Sequence, residues 1–281
     1  MDKVFNQCVH YAEKEMKNKS QASYFKLKTE IWFKQKLLKL FEIPYIEMFI
    51  TTRCNLKCKN CSNLIPSLAD QHNFSYEEII NTLKKLLDKV NKLYRLKLHG
   101  GEVFLHPDLP KIIRFCDADQ KIKSIRLATN GTIIPSAAVI DALKNSKVVV
   151  QISDYHLPQC RIADLISLLE QNGIKYVYLN DQVWRDMGGF EKRDSNRHQK
   201  CTVTRCTSLY DGKLFVCSRA AIANHLNLIN NVESIPVNIG VCDFRKRMHS
   251  FYNNSITACN YCDGDTKYAN GVAAGVQEER L

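Results

Sequence analysis

Between Thr51 and Cys61 the chain reads Thr-Thr-Arg-Cys-Asn-Leu-Lys-Cys-Lys-Asn-Cys, so Cys54, Cys58 and Cys61 are separated by three and then two residues. The preceding apolar run, Tyr45 to Thr51, reads as a strand and puts the thiols on a loop at that strand's C-terminal end. Ligands of parallel α/β folds bind at such ends. Thiolates at this spacing can wrap one face of an iron–sulfur cube, leaving one of its irons open to another ligand. Zinc, which normally takes a fourth ligand, and a set of inert buried thiols are the other readings.

At the end of the next apolar run stands His99-Gly100-Gly101-Glu102. A three-cysteine loop followed by Gly-Gly-Glu resembles the radical S-adenosylmethionine (SAM) enzymes, and the likeness covers roughly Tyr45 to Leu179. The resemblance implies a [4Fe–4S] cluster held by Cys54, Cys58 and Cys61, with SAM chelating the open iron. It implies that Gly100, Gly101 and Glu102 meet the methionine amino end, and that reductive cleavage of SAM yields a 5′-deoxyadenosyl radical. Asn130 and Ser153 stand at strand ends that line the SAM pocket in that family, Ser153 matching a ribose contact. Read by itself, Asn130-Gly131 is also an ordinary turn. Asn60 departs from the family, many members carrying an aromatic residue there.

The 281 residues suffice for one large domain or a core with a smaller module. With 45% hydrophobic and 25% charged residues the composition is that of a soluble globular protein. Met1 to Ser20 is polar and charged, unlike a signal peptide, and the apolar runs are too short to span a membrane. Twelve cysteines in such a chain favour metal ligation over disulfides and a reducing cytoplasm. A net charge of +11 is read as a solvated basic surface without a nucleic-acid partner, since no aromatic-rich basic strand accompanies it. An anionic substrate stays open.

Residues 1–44 are expected to form an N-terminal helical extension. Leu27, Ile31, Leu38 and Phe41 are near helical spacing with lysines between, which suits a helix packed on the barrel, or one lying on a membrane or partner. Ser75 and Glu78 form a capping box ahead of the apolar face Ile79, Ile80, Leu83, Leu86, Leu87, Val90 and Leu93. Strands are predicted at 95–99, 124–128, 148–152 and 175–179, with helices at 108–116, 136–144 and 161–172. The alternation predicts βαβ units and a parallel sheet. The fold class expected is α/β, a partial (β/α) barrel of the radical SAM type over 45–180. Its five strands fall short of the family's usual six. A small hairpin-containing iron–sulfur subdomain is expected over 181–281, and Trp184 to Phe190 reads as either a lid or a connector.

Leu209 to Phe215 reads as a hairpin with Asp211-Gly212 at its turn. Cys201, ten residues, Gly212, four residues and Cys217 precede a distant Cys259-x-x-Cys262. Such pairs alone read as zinc sites. Beside a radical SAM core the pattern resembles a Twitch subdomain, a shortened relative of SPASM, and implies a second, auxiliary [4Fe–4S] cluster on Cys201, Cys217, Cys259 and Cys262. Counting outward from the turn pairs Cys206 with Cys217, so Cys206 is the alternative ligand; Cys206 or Cys242 is otherwise a free thiol able to give a hydrogen atom.

Two clusters imply a redox scheme similar to that of Twitch-bearing radical SAM dehydrogenases. Hydrogen is taken from a carbon bearing a hydroxyl, a base takes the hydroxyl proton, and the auxiliary cluster accepts an electron. Arg185, Asp186, Arg219 and His225 are positional candidates for a role in the proton step. The chain also resembles radical SAM proteins of bacterial polysaccharide synthesis, which implies a sugar or nucleotide-linked sugar substrate and a flavodoxin or ferredoxin as electron donor. Epimerisation, peptide modification and a non-catalytic iron–sulfur or zinc redox protein are the rivals.

Overall fold

The computed structural model describes residues 3–14, 16, 20–144, 146–193, 201, 207–254, 256–264 and 270–278. Strands β1 (Glu42–Thr51), β2 (Lys92–Gly100), β3 (Ile122–Thr129), β4 (Val148–Asp154) and β5 (Tyr176–Asn180) are parallel and lie side by side in the order β5-β4-β3-β2-β1. Helices α3 (Tyr76–Leu87), α4 (Leu109–Ala118), α5 (Ala137–Leu143) and α6 (Ile162–Gln171) connect them. This is the expected α/β arrangement. Ser75 accepts from the Glu78 amide and Glu78 returns the bond, so the capping box starts α3 where predicted. The helix then buries Ile79, Ile80, Leu83, Leu86 and Leu87 against the sheet.

Pro44 lies inside β1, where a residue without an N–H is tolerated only at an edge. On one side β1 pairs with β2 along its length, but on the other it meets a neighbour only at Glu47 and Met48. That neighbour is β7 (Ser208–Tyr210), parallel to β1 and followed by antiparallel β8 (Lys213–Phe215) and β9 (Ile235–Pro236). Asp211 and Gly212 have φ of 45° and 69°, the positive values a two-residue hairpin turn needs. The sheet therefore has eight strands in the order β5-β4-β3-β2-β1-β7-β8-β9, and it crosses the boundary expected near residue 181. β7 to β9 are two or three residues long, too short to show an alternating pattern.

Between β5 and β7, β6 (Val183–Arg185) pairs antiparallel with β10 (Gly271–Ala273). Helices α7 (Ser218–His225) and α8 (Val241–Asn253) complete the C-terminal part. At the opposite end of the strands, α1 (Lys3–Lys14) stacks Tyr11 on Tyr45 with ring centroids 5.2 Å apart. Helix α2 (Gln21–Lys36) packs beside it but buries only Ile31. Of the predicted stripe, Ile31 and Leu27 pack with Phe5, Cys8, Val9 and Tyr94, while Leu38 does not. Ser20 caps the helix at its start, it stops before Leu38, and Leu38 is exposed. Among the described residues no helix is long and apolar enough to cross a membrane.

Candidate functional site

The loop carrying Cys54, Cys58 and Cys61 is anchored by main-chain bonds to the segment that follows β2. The Gly101 amide donates to the Thr51 carbonyl at 3.1 Å and the Glu102 amide to the Arg53 carbonyl at 2.8 Å. These approaches require glycine. A Cβ on Gly100, whose φ is +147°, would run into the Thr51 carbonyl oxygen, and one on Gly101 into that of Arg53.

Glu102 is fully buried, and its carboxylate accepts from Thr129 Oγ1 at 2.9 Å, the Asn130 amide at 2.8 Å and the Phe104 amide at 3.1 Å. Burial pushes its carboxyl up to about 7 against those bonds. The carboxylate thus braces β2 against β3, and Glu102 is not among the residues lining the cavity described next. Of the segment expected to meet the methionine amino end, Gly100 and Gly101 line that cavity, while the Glu102 carboxylate is engaged by Thr129, Asn130 and Phe104. Asn130 donates from Nδ2 to Asn55 Oδ1 at 3.1 Å, and its Oδ1 accepts from Thr132 Oγ1 at 2.6 Å, in a polar link between β3 and the cysteine loop.

One cavity, enclosing about 1420 Å³ of atom-free space with its mouth, joins the two cysteine sets. Cys54, Cys58 and Cys61 line it together with Gly100, Gly101, Asn130 and Ser153; Cys201, Cys217 and Cys262 line it as well. A smaller adjoining pocket is bordered by Cys201, Cys217, Cys259 and Cys262. All four second-set thiols of the reading with Cys201 therefore border one pocket. Cys206 lies outside the described residues. Cys242 is exposed on the first turn of α8 and does not line the cavity, so as a hydrogen donor it is not brought to the site. His225 also stands away, sharing a contact with Tyr210.

The segment read as a lid or a connector is a wall. Trp184 and Met187 line the cavity, Asp263 donates its amide to the Met187 carbonyl at 2.9 Å, and Arg193 Nε is 2.9 Å from Asp263 Oδ1. Residues 275–278 cover the first cysteine loop from outside. The Lys59 amide donates to the Val276 carbonyl at 2.7 Å, and Gln277 Nε2 is 3.2 Å from Cys58 Sγ.

The cysteines described are free thiols. Burial pushes Cys54 and Cys217 up to about 12 and Cys58 up to about 11, with neighbouring thiols adding to the shift. Burial raises Cys61 and Cys262 as well; backbone amides of Asn63 to Ile65 oppose it at Cys61, and Arg219, one residue into α7 from Ser218, opposes it at both thiols. Its guanidinium lies 4.4 Å from the Phe190 ring centroid, and among the described residues Nε has no hydrogen-bond partner. No three thiol, imidazole or carboxylate groups among the described residues converge closely enough for a single metal ion.

The cavity floor is polar, which the sequence reading missed. Glu47 on β1 meets Lys97 on β2 at 3.0 Å and accepts from Ser218 Oγ and Tyr45 OH, each at 2.7 Å. Burial would raise the Glu47 carboxyl, but Lys97 and these bonds outweigh it and hold it at about 2. His99 Nε2 is 3.8 Å from Glu47, yet burial depresses the imidazole to about 4 and leaves it neutral. Lys97 already satisfies the carboxylate. The available signal was Arg95, Lys97 and His99 at every second position of an otherwise apolar strand, the mark of one polar face.

Residues 48–153 match the Radical SAM superfamily. That family implies a [4Fe–4S] cluster and SAM, and three free thiols facing the cavity suit that donor set. A probable GTP 3′,8-cyclase of Methanococcus maripaludis is 37% identical over 99 residues, covering 34% of this chain and 32% of that protein. The antilisterial bacteriocin subtilosin biosynthesis protein AlbA of Bacillus subtilis is 33% identical over 116 residues, covering 40% and 25%. The chain thus spans about a third or less of these relatives. The structure of BtrN in complex with AdoMet and 2-DOIA shares the fold with a TM-score of 0.54 at 14% identity, covering 84% of this chain and 95% of that one.

Proposed function

We propose that this protein is a two-cluster radical SAM oxidoreductase that takes a hydrogen atom from a polyhydroxylated, carbohydrate-type substrate and oxidises a secondary alcohol to a ketone. The observation that carries this reading is the single cavity bordered by both cysteine sets. Cys54, Cys58 and Cys61 would hold the SAM-binding cluster, and Cys201, Cys217, Cys259 and Cys262 an auxiliary one. When bound, SAM and the first cluster would supply the 5′-deoxyadenosyl radical, and the auxiliary cluster an acceptor for the electron left on the substrate.

The chain's own residues do the rest. Thiols that border one cavity from separate segments suit a polynuclear cluster, which is held by several thiolates. Arg219 places a cation between the sets, where it lowers the cost of holding thiolates in a buried site. Neutral His99, Gln151 and Ser153 offer hydrogen-bonding groups to hydroxyls, and the Glu47–Lys97 pair leaves little net charge on the floor. That balance favours an uncharged polyol portion at the reacting end.

Iron and sulfide content with Mössbauer spectra of anaerobically purified protein tests the reading, beside a Cys54/Cys58/Cys61→Ala variant. About eight irons falling to about four supports it. About four irons falling to none, with zinc retained, overturns the auxiliary cluster and the oxidation that depends on it.

A further inference from the structure

Six of the twelve large apolar side chains exposed among the described residues fall between Tyr24 and Leu38. On α2 the positions Phe25, Thr29, Trp32, Phe33 and Lys36 recur at helical spacing and share the face turned away from buried Ile31. Phe25 is 71% exposed, and Trp32 and Phe33 are each 47% exposed. Leu37 and Leu38, at 58% and 53%, extend the patch past the helix end. Single exposed apolar residues are ordinary, but a contiguous patch of this kind marks an interaction surface.

The charges around it select the partner. The stretch from Gln21 to Leu40 carries Lys26, Lys28, Lys34, Lys36 and Lys39 against one acid, Glu30, and Glu30 is paired with Lys34. We propose that α2 is a peripheral membrane-docking helix that seats Phe25, Trp32, Phe33 and the Leu37–Leu38 tip in an anionic lipid surface. Aromatic and aliphatic side chains enter the boundary of headgroups and acyl chains while lysines meet anionic headgroups, as interfacial helices do. A second copy of the chain fits less well, since two such faces would bring ten lysines together. Nucleic acid fits less well because Leu37 and Leu38 give bases nothing to stack on and the stretch has no arginine. Helices α1 and α2 sit by the starts of β1 and β2, through the Cys8 and Gln35 contacts with Glu42, whereas the cysteine loop follows the end of β1. Docking there leaves the cavity accessible.

The test is sedimentation of the anaerobically purified full chain with vesicles of phosphatidylcholine alone or with about 30% phosphatidylglycerol. Binding is expected to the anionic vesicles, about tenfold weaker to neutral ones, and to fall as salt rises from about 0.1 to 0.5 M. A Phe25→Gln/Trp32→Gln/Phe33→Gln variant should lose about tenfold or more with its circular dichroism unchanged, because these side chains are exposed. Lipids brominated in the acyl chain should quench tryptophan emission in the wild type but not in Trp32→Phe. No binding, or equal anionic binding by the triple variant, overturns the proposal. So does a concentration-dependent dimer, or nucleic-acid binding without vesicle binding, that the variant abolishes.

Discussion

The side-chain amide of Gln277 stands 3.2 Å from the sulfur of Cys58, from a segment 219 residues further along the chain. Hydrogen bonds to cluster sulfurs stabilise the electron-rich reduced state and so raise the reduction potential. Gln277→Leu is expected to lower the midpoint potential of the cluster assigned to Cys54, Cys58 and Cys61 by tens of millivolts while iron content stays near wild type. A redox titration followed by electron paramagnetic resonance measures this. An unchanged potential would mean that Gln277 merely fastens the strap.

His99 makes acid pH costly to the fold. Unfolded, its imidazole takes a proton near 6.5; folded, burial holds it at about 4. Its contribution is complete above 6.5 and is lost as pH falls towards 4, roughly 2 kcal/mol by pH 4.5. Urea unfolding at pH 7 and 5 should show this loss in the wild type and a shallower one in His99→Asn. Glu47 acts lower, its stabilisation being lost from about 4.5 down towards 2.

Gly101→Ala would drive a Cβ into the Arg53 carbonyl and to 3.0 Å from Cys54 Cβ. A loss of roughly 2 kcal/mol or more is expected, together with weakened SAM binding. Thermal denaturation and equilibrium dialysis read the two effects.

The two cysteine sets should separate by function. Cys58→Ala is expected to abolish 5′-deoxyadenosine formation in reduced, reconstituted protein. Cys262→Ala should retain part of it and lose substrate oxidation. Equal loss in both variants would assign the second set to folding rather than to electron transfer.

Strands β2 to β5 and helices α3 to α6 were legible because each carries its own periodic signal, such as the capping box at Ser75 and the apolar face behind it. The first cysteine loop was legible for the same reason, its spacing being local. What escaped depends on partners distant in sequence. Glu47 and Lys97 are 50 residues apart, and Ser218 reaches Glu47 across 171. Counting could not bring Cys201 together with the distant Cys259 and Cys262; the pocket that Cys201, Cys217, Cys259 and Cys262 border does. On helix α2 the spacing picked the buried side, Leu27 and Ile31, but not the helix end before Leu38 or the second apolar face at Phe25, Trp32 and Phe33.

The strap of residues 275–278 gives the site a direction in time. During synthesis Cys54, Cys58 and Cys61 leave the ribosome long before Gln277, so the loop and its strand can form while its outer side is still bare. Only when the last of these residues arrives do the Lys57 and Lys59 main-chain groups find their partners. The outer side of the cysteine loop is thus the last part of the site to close, and a chain shortened before Gly275 would leave it bare.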